Sequence, residues 1–572
     1  MKLPGYKNPL RLPSLKLIIL IGGAVYIIPF VFTFSTIDPV LLIRFLAWTA
    51  LTVLLVLTFL IQNSIFRLSP DFTVLYRAIF PIVMGYAVIA GFSLFQTINL
   101  AEGIFDWLKL FLTFTFLYVA CLTLAHNRGG VLFLTRSVIV TALILGFIGI
   151  CQYFQIAFTA IPGNYAVYAT MANTNLFASA LFLMLPFIMF GALQFSGAWH
   201  SLSLVTLTGV LYAIAISETR AVWGAIFIAT VITVCVVLLC YQKLKLTQNE
   251  KYFYLRRSLV IIVIFLISAS AAIWSHTVEN NHLCLFLKKS HPAASKNSGT
   301  LQRPIKSIIS LRGRFPLWQT SMRMIKAAPI LGIGLGQWKI VSPAYEMDQK
   351  IKVSGKGLRQ TWVQRPHNDF LWVFSETGVL GLLGHVLFWG VLIYYSLRII
   401  CSASDIQKKI YAILLLFGII GFAVISSFSF PRERIFHNIF FMLIAACIVS
   451  FYHQTFPIRK AVSHRKLFCL NFSLLVLLIF CWAFGHARFD AEAHTKNALR
   501  AYRFEDWQRV ILEIDKVDSR FYNLDPTSTP LAWYRGMANF SLGRIKEALG
   551  DFQKAHANRG VELWLDAGYQ ID

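Results

Sequence analysis

Runs of about twenty apolar residues, broken by short polar segments, recur along almost the whole chain. They fall at 17–34, 41–62, 78–98, 104–124, 133–153, 175–195, 201–217, 221–241, 259–275, 378–397, 410–430, 435–452 and 467–485. A run of that length crosses a hydrocarbon core of roughly 30 Å as a helix, which satisfies its own backbone where no water can. The pattern therefore predicts an all-α, polytopic membrane protein with about 13 transmembrane helices. No small-residue cleavage site follows the first run, which reads as a span and not as a removed signal peptide. Four regions result: transmembrane helices in 1–274, a large polar loop in 275–377, further transmembrane helices in 378–486, and a small helical domain in 487–572.

Composition agrees, since 14% of the 572 residues are charged where soluble domains average about 25%. The net charge of +26 suggests nucleic acid until its distribution is followed. With the N-terminus inside, the inner segments carry twenty Lys and Arg, from Lys2 to Lys466, against three in the short outer loops: Arg220, Arg432 and Arg434. That bias places the N-terminus in the cytoplasm and the C-terminus outside, and it removes nucleic acid as a partner. The loop 275–377 then lies outside with fifteen Lys and Arg against five Asp and Glu. It is either a solvated face or a site for an anionic ligand. Cysteines sit almost entirely in apolar runs, only Cys284 falling in the large loop. They form neither a disulfide framework nor a metal-ligand spacing.

In the tail, Gly536, Ala548, Phe552 and Ala555 occupy the small and aromatic positions of a tetratricopeptide-like helix–turn–helix repeat, with a weaker unit from Ala491 to Val517. A plain helical hairpin fits the same residues. So few repeats bury too little to stand alone and must pack on the loop or on a partner.

Candidate chemistry concentrates at Arg365-Pro366-His367-Asn368-Asp369-Phe370-Leu371, followed by Glu376-Thr377-Gly378, where the polar loop meets an apolar run. An imidazole titrating near pH 6.5 accepts a proton at neutral pH. Pro366 restricts Arg365 to extended conformations ahead of a helix starting near Asn368 or Asp369, with Phe370, Leu371 and Phe374 as anchors. A loop histidine without a role is the alternative. Arg312 and Arg314 precede an amphipathic stretch marked by Trp318, Met322 and Ile325; the guanidinium fork suits phosphate oxygens. Arg220 stands in a tight outer turn, as a site residue, as a partner of Glu218, or snorkelling to the interface. Arg44 and Lys109 read as snorkelling cations, pyrophosphate contact being the lesser reading. Asn173 and Asn175 open the sixth span and suit helix caps. The run Gly332-Ile333-Gly334-Leu335-Gly336 follows no strand, so it is not a nucleotide loop but a flexible turn permitting close backbone approach.

Asn173-Thr174-Asn175, Thr219-Arg220, Arg312 and Arg314 with Trp318, Pro329-Ile330-Leu331-Gly332-Ile333-Gly334, and His367-Asn368 with Glu376-Thr377-Gly378 occur in this order. Across about 130–450 this resembles the O-antigen ligase superfamily, which also holds O-antigen polymerases and protein O-oligosaccharyltransferases. The extra thirteenth span and outer tail depart from the plain ligase, as do Thr219 and Ala221, where the family has Ser and Gly. The resemblance implies an inverting, metal-independent transfer without cofactor, on the outer face of the bacterial inner membrane. The glycan would pass from undecaprenyl diphosphate to lipid A–core, or else to a protein Ser/Thr or a second lipid-linked repeat. Arg220 with Arg312 or Arg314 would hold the diphosphate, and His367 would position or deprotonate the acceptor hydroxyl. Asn368, Glu376, Asn173 and Asn175 would support them, and membrane lipids would surround a groove for the polyprenyl chain. A transporter or channel predicts charged or broken helices at mid-membrane, whereas these spans carry almost no central charge.

Overall fold

The computed structural model describes residues 12–65, 72–125, 128–163, 167–280, 313–345, 363–458 and 464–559. Among them, 12 helices are long and apolar enough to cross a membrane, and extended pairing is limited to one isolated bridge between Leu524 and Pro530. The protein is an all-α, multi-pass membrane protein. The first predicted span forms a shorter helix, Leu12–Ile27. A 3-10 turn carrying Pro29 ends it, and Val31 is extended; proline offers no N–H to continue the ladder.

Two compact units make up the chain: Met1–Leu134 with Trp318–Ile399 and Ser426–Asp572, and Thr135–Leu317 with Ile400–Ile425. In the first, the helix His464–Arg503 packs along Leu41–Ile65, and Ile435–Thr455 packs along Leu100–Leu124. Ile435–Thr455 is apolar on every side and almost wholly buried, as expected of a helix enclosed by others. Phe45 meets Phe105 edge-on at 5.3 Å and Trp48 meets Phe116 at 5.7 Å.

The last span does not stop near 487. His464–Arg503 runs unbroken into the tail, and Trp507–Asp515, Leu531–Ser541 and Ile545–Arg559 follow as successive hairpins. Ala498, Ala501, Val510, Ile514, Leu531 and Ala538 form their core; the alanines let the helices approach closely. The tail packs on its own unit: Lys496 Nζ donates to the carbonyls of Phe34 (2.6 Å) and Thr36 (3.0 Å), and Asn99 donates to Asn523 at 2.7 Å.

In the second unit Thr174–Gln194 is the buried centre, packed by Ala198–Ile216, Arg220–Leu239 and Gln248–Asn280. Arg257 donates to the carbonyls of Leu193 (2.8 Å) and Phe195 (2.7 Å), supplying partners that the end of the central helix lacks.

Candidate functional site

The residues before the tenth predicted span are already helical. Asp369–Ser402 is a single long helix broken only at Gly378, whose φ of 66° and ψ of −168° are not helical. Hydropathy missed the first turns because Asp369, Ser375, Glu376 and Thr377 are polar, although all four are buried. The break receives the glycine-rich turn. Ile333 N donates to Ser375 O (2.9 Å), Gly334 N to Glu376 O (3.1 Å) and Val379 N to Pro329 O (2.8 Å). A Cβ on Gly332 would overlap the Glu376 carbonyl, and one on Gly378 would overlap that of Ile330. The close backbone approach expected of this turn is present, but the turn is a pinned clasp and not a flexible one. Glu376 adds to it by accepting the Trp338 N–H at 3.0 Å.

His367 sits at the N-terminal end of this assembly, partly buried, with a left-handed φ of 54°. Only a few per cent of non-glycine residues adopt that conformation, and it persists where the surroundings enforce it. Here they do on both sides. Trp318 Nε1 donates to the Pro366 carbonyl at 3.0 Å, and Asn368 Oδ1 accepts Leu371 N at 3.0 Å as a cap of the next helix. The imidazole lies edge-on to Phe430, with ring centres 4.9 Å apart. Arg365 crosses the same ring at 4.9 Å and ion-pairs with Glu433. Asp369 accepts the Arg432 backbone N–H at 3.1 Å, while the Arg432 side chain reaches Glu376 at 3.6 Å and lies 5.3 Å from the Trp372 ring centre. Thus the segment 430–434 is fastened to 365–376, and it brings two of the three short outer-loop arginines with it.

A second layer of charge continues from there. Arg434 pairs with Asp38 at 2.6 Å. Glu102 is clamped by Arg488 and Lys339, both at 2.6 Å. Burial pushes the Asp38 and Glu433 carboxyls up, but Arg434 beside Asp38 and Arg365 beside Glu433 outweigh it and hold both below the ordinary range. All of these except Arg434 line a cavity of about 70 Å³ whose wall also includes Gln364, Trp372, Tyr522 and Asp525. None of Asp38, Glu102, Lys339, Glu433 or Arg488 stands out in the sequence as a site residue. The available signal was position, since Asp38, Glu102, Arg432 and Arg434 all lie within a few residues of a helix start.

The remaining expected site residues belong to the second unit. Asn173 caps Thr174–Gln194, its Oδ1 accepting from Asn175 N (2.9 Å) and Leu176 N (3.3 Å). Asn175 in turn accepts Thr219 Oγ1 at 3.3 Å, which ties the cap to the turn that begins Arg220–Leu239. Arg220 itself is exposed there. Arg314 is partly buried, and burial pulls its pKa below the ordinary arginine value. Arg312 and most cations of the large loop lie outside the described residues. The amphipathic stretch forms as Phe315–Ala327, with Leu317, Ser321, Met324 and Ile325 buried while Met322 is exposed. Two expectations fail. Arg44 does not snorkel: it is buried and donates to the carbonyls of Val31 (2.9 Å) and Pro29 (2.8 Å), the chain ends left open where the first helix stops. Lys109 pairs with Asp106 at 2.6 Å instead of reaching the interface.

No curated protein matches the chain. Residues 202–386, which contain Arg220, Arg312, Arg314, His367, Asn368 and Glu376, match the O-antigen ligase family, which supports a place in the O-antigen ligase superfamily.

Proposed function

We propose that the protein transfers a glycan from undecaprenyl diphosphate to an acceptor hydroxyl on the periplasmic face of the bacterial inner membrane, and that the acceptor is lipid A–core. One observation carries the reading: the family match contains every charged residue assigned a role, and within it His367 is held in an enforced left-handed turn. His367 orients the acceptor hydroxyl and takes its proton as the oxygen attacks the anomeric carbon. Arg220, Arg312 and Arg314 serve the diphosphate, stabilising the charge that grows on the leaving group. Asn368 fixes the turn that carries the imidazole, Glu376 fixes the clasp behind it, and Asn173 with Asn175 steadies the Arg220 turn. Arginine, in place of a metal ion, is assigned this task in the proposed transfer.

The proposed orientation has its own support. Helices starting at Leu41, Leu100, Asp369 and Ile435 have their N-terminal ends joined by the Asp38–Arg434 and Arg365–Glu433 pairs and the shared cavity. The charge bias puts that side outside, with the N-terminus cytoplasmic and the tail periplasmic. The helical tail, which a plain ligase lacks, favours a second reading in which the acceptor is a protein Ser or Thr.

Deleting the gene separates the readings. Loss of polymer from lipid A–core, with lipid-linked polymer accumulating, supports ligation. Unchanged lipopolysaccharide with faster-migrating glycoproteins moves the acceptor to protein. No change in either sinks the proposed transfer.

A further inference from the structure

The cavity walled in part by Gln364 and Arg365, a few residues before His367, is not a diphosphate site. Seven acidic side chains line it against four cations, from Lys109, Lys339, Arg365 and Arg488, so the wall offers no cationic excess to hold a doubly anionic group. Its volume of about 70 Å³ exceeds by several times the roughly 10–15 Å³ that accommodates one water. Much of its polar wall is buried: Glu102 and Arg488 are each 4% exposed and Tyr522 is 2% exposed. The Tyr522 hydroxyl and Arg488 Nε have no hydrogen-bond partner among the described residues. A buried, unpartnered hydroxyl is unfavourable unless something supplies its bond. Acceptor carboxylates alternating with guanidinium, ammonium and phenol donors match a ligand whose groups both donate and accept. Hydroxyls on an uncharged ring do so.

Tyr522, Leu524, Asp525 and Pro526 come from the tail, outside the matched segment. Their loop is rigid by construction. Asp525 Oδ1 accepts Thr527 N and Thr529 N, both at 2.8 Å, and Oδ2 accepts Tyr534 OH at 2.9 Å. Asn523 is bonded to Asn99, and Arg488 bridges Glu102 (2.6 Å) and the Phe521 carbonyl (2.9 Å).

We propose that this cavity is a saccharide subsite, walled by Glu102, Lys339 and Arg488 and closed by the tail loop Tyr522–Pro526, so that the tail selects the sugar handled at His367. The proposal rests on glycan transfer as the function. The sugar belongs either to the lipid-linked glycan or to the acceptor, and the two are told apart by which KM moves. Tyr522→Phe in the full-length reconstituted protein is the test, because it removes one hydroxyl and keeps the ring. Expected are a KM raised about tenfold for one substrate, unchanged kcat, and a melting temperature equal to or above wild type. Saturation-transfer NMR with N-acetylglucosamine, glucose and inorganic pyrophosphate reads binding without turnover. Neutral sugars should bind wild type and lose affinity in Y522F, and pyrophosphate binding should not change between the two. Unaltered KM values and sugar affinity, or a lowered melting temperature with KM unaltered, overturn the subsite and make Tyr522 structural. Absence of any transfer by wild type would count against the function, while the NMR comparison would still decide the subsite.

Discussion

Gly378→Ala is the sharpest probe of the clasp behind His367. Gly378 adopts φ 66° and ψ −168°, a region open essentially to glycine, where another residue bears about 1–3 kcal/mol of strain. The added Cβ also overlaps the backbone carbonyl of Ile330, which has no rotamer to swing away. Relief requires the glycine turn to lift off the helix, at the expense of the Ile333–Ser375, Gly334–Glu376 and Val379–Pro329 hydrogen bonds. Each buried group left unpaired adds about 1–3 kcal/mol. The sum is on the order of 4 kcal/mol, roughly a thousandfold shift in the folding equilibrium. Thermal melting of the purified full-length protein, followed by loss of the monodisperse peak on size exclusion, reads it. Gly390→Ala is the control, since nothing lies within 4 Å of a Cβ at that position of the same helix. It should melt with wild type or slightly above, alanine being the better helix former. Should G378A melt alongside G390A, the clasp is not a stabilising element.

Other outcomes follow from the charge layer. Glu102→Gln leaves Arg488, buried with a side chain 5% exposed, without its counter-charge, costing about 3–5 kcal/mol. The double variant E102Q/R488M should recover part of the loss, and wild-type stability of E102Q would remove the pair from the tail's anchorage. Arg434 and Arg365 hold the Asp38 and Glu433 pKa values below the ordinary 3.8 and 4.5. Their stabilisation is therefore complete above those ordinary values and is lost as pH falls through the lower folded ones. The melting-temperature difference between wild type and Asp38→Asn should be constant from about pH 7 to 5, with the variant the less stable, and should shrink below about pH 4. A difference that grows on acidification contradicts this. Transfer should persist in excess chelator; activity that chelation removes and a divalent ion restores would displace arginine from the leaving group.

What could be read from the residues alone followed a physical division. Long apolar runs report burial in lipid, so the spans were legible, and Pro366 marked the extended approach to a helix starting near Asn368 or Asp369. Pairings across hundreds of residues were not legible. Glu102 gives no local hint that Arg488 will neutralise it, and Asp38 reads as an ordinary loop acid until Arg434 arrives from beyond the polar loop. Arg432 and Arg434 were conspicuous for standing on the wrong side of the charge bias, and both proved to be in ion pairs. Gly378 looked like the start of a span because hydropathy rises there. It is a break inside a helix whose first turns hide behind polar residues buried by the clasp.

The imidazole of His367 can be tested apart from the turn that carries it. Its φ of 54° is one that glycine adopts freely, so His367→Gly keeps the backbone while removing the ring. The deciding measurement is transfer of lipid-linked glycan to acceptor by purified H367G, with melting temperature recorded beside wild type. Transfer should vanish while the fold persists. Undiminished transfer by a folded H367G would mean that the acceptor hydroxyl is activated elsewhere.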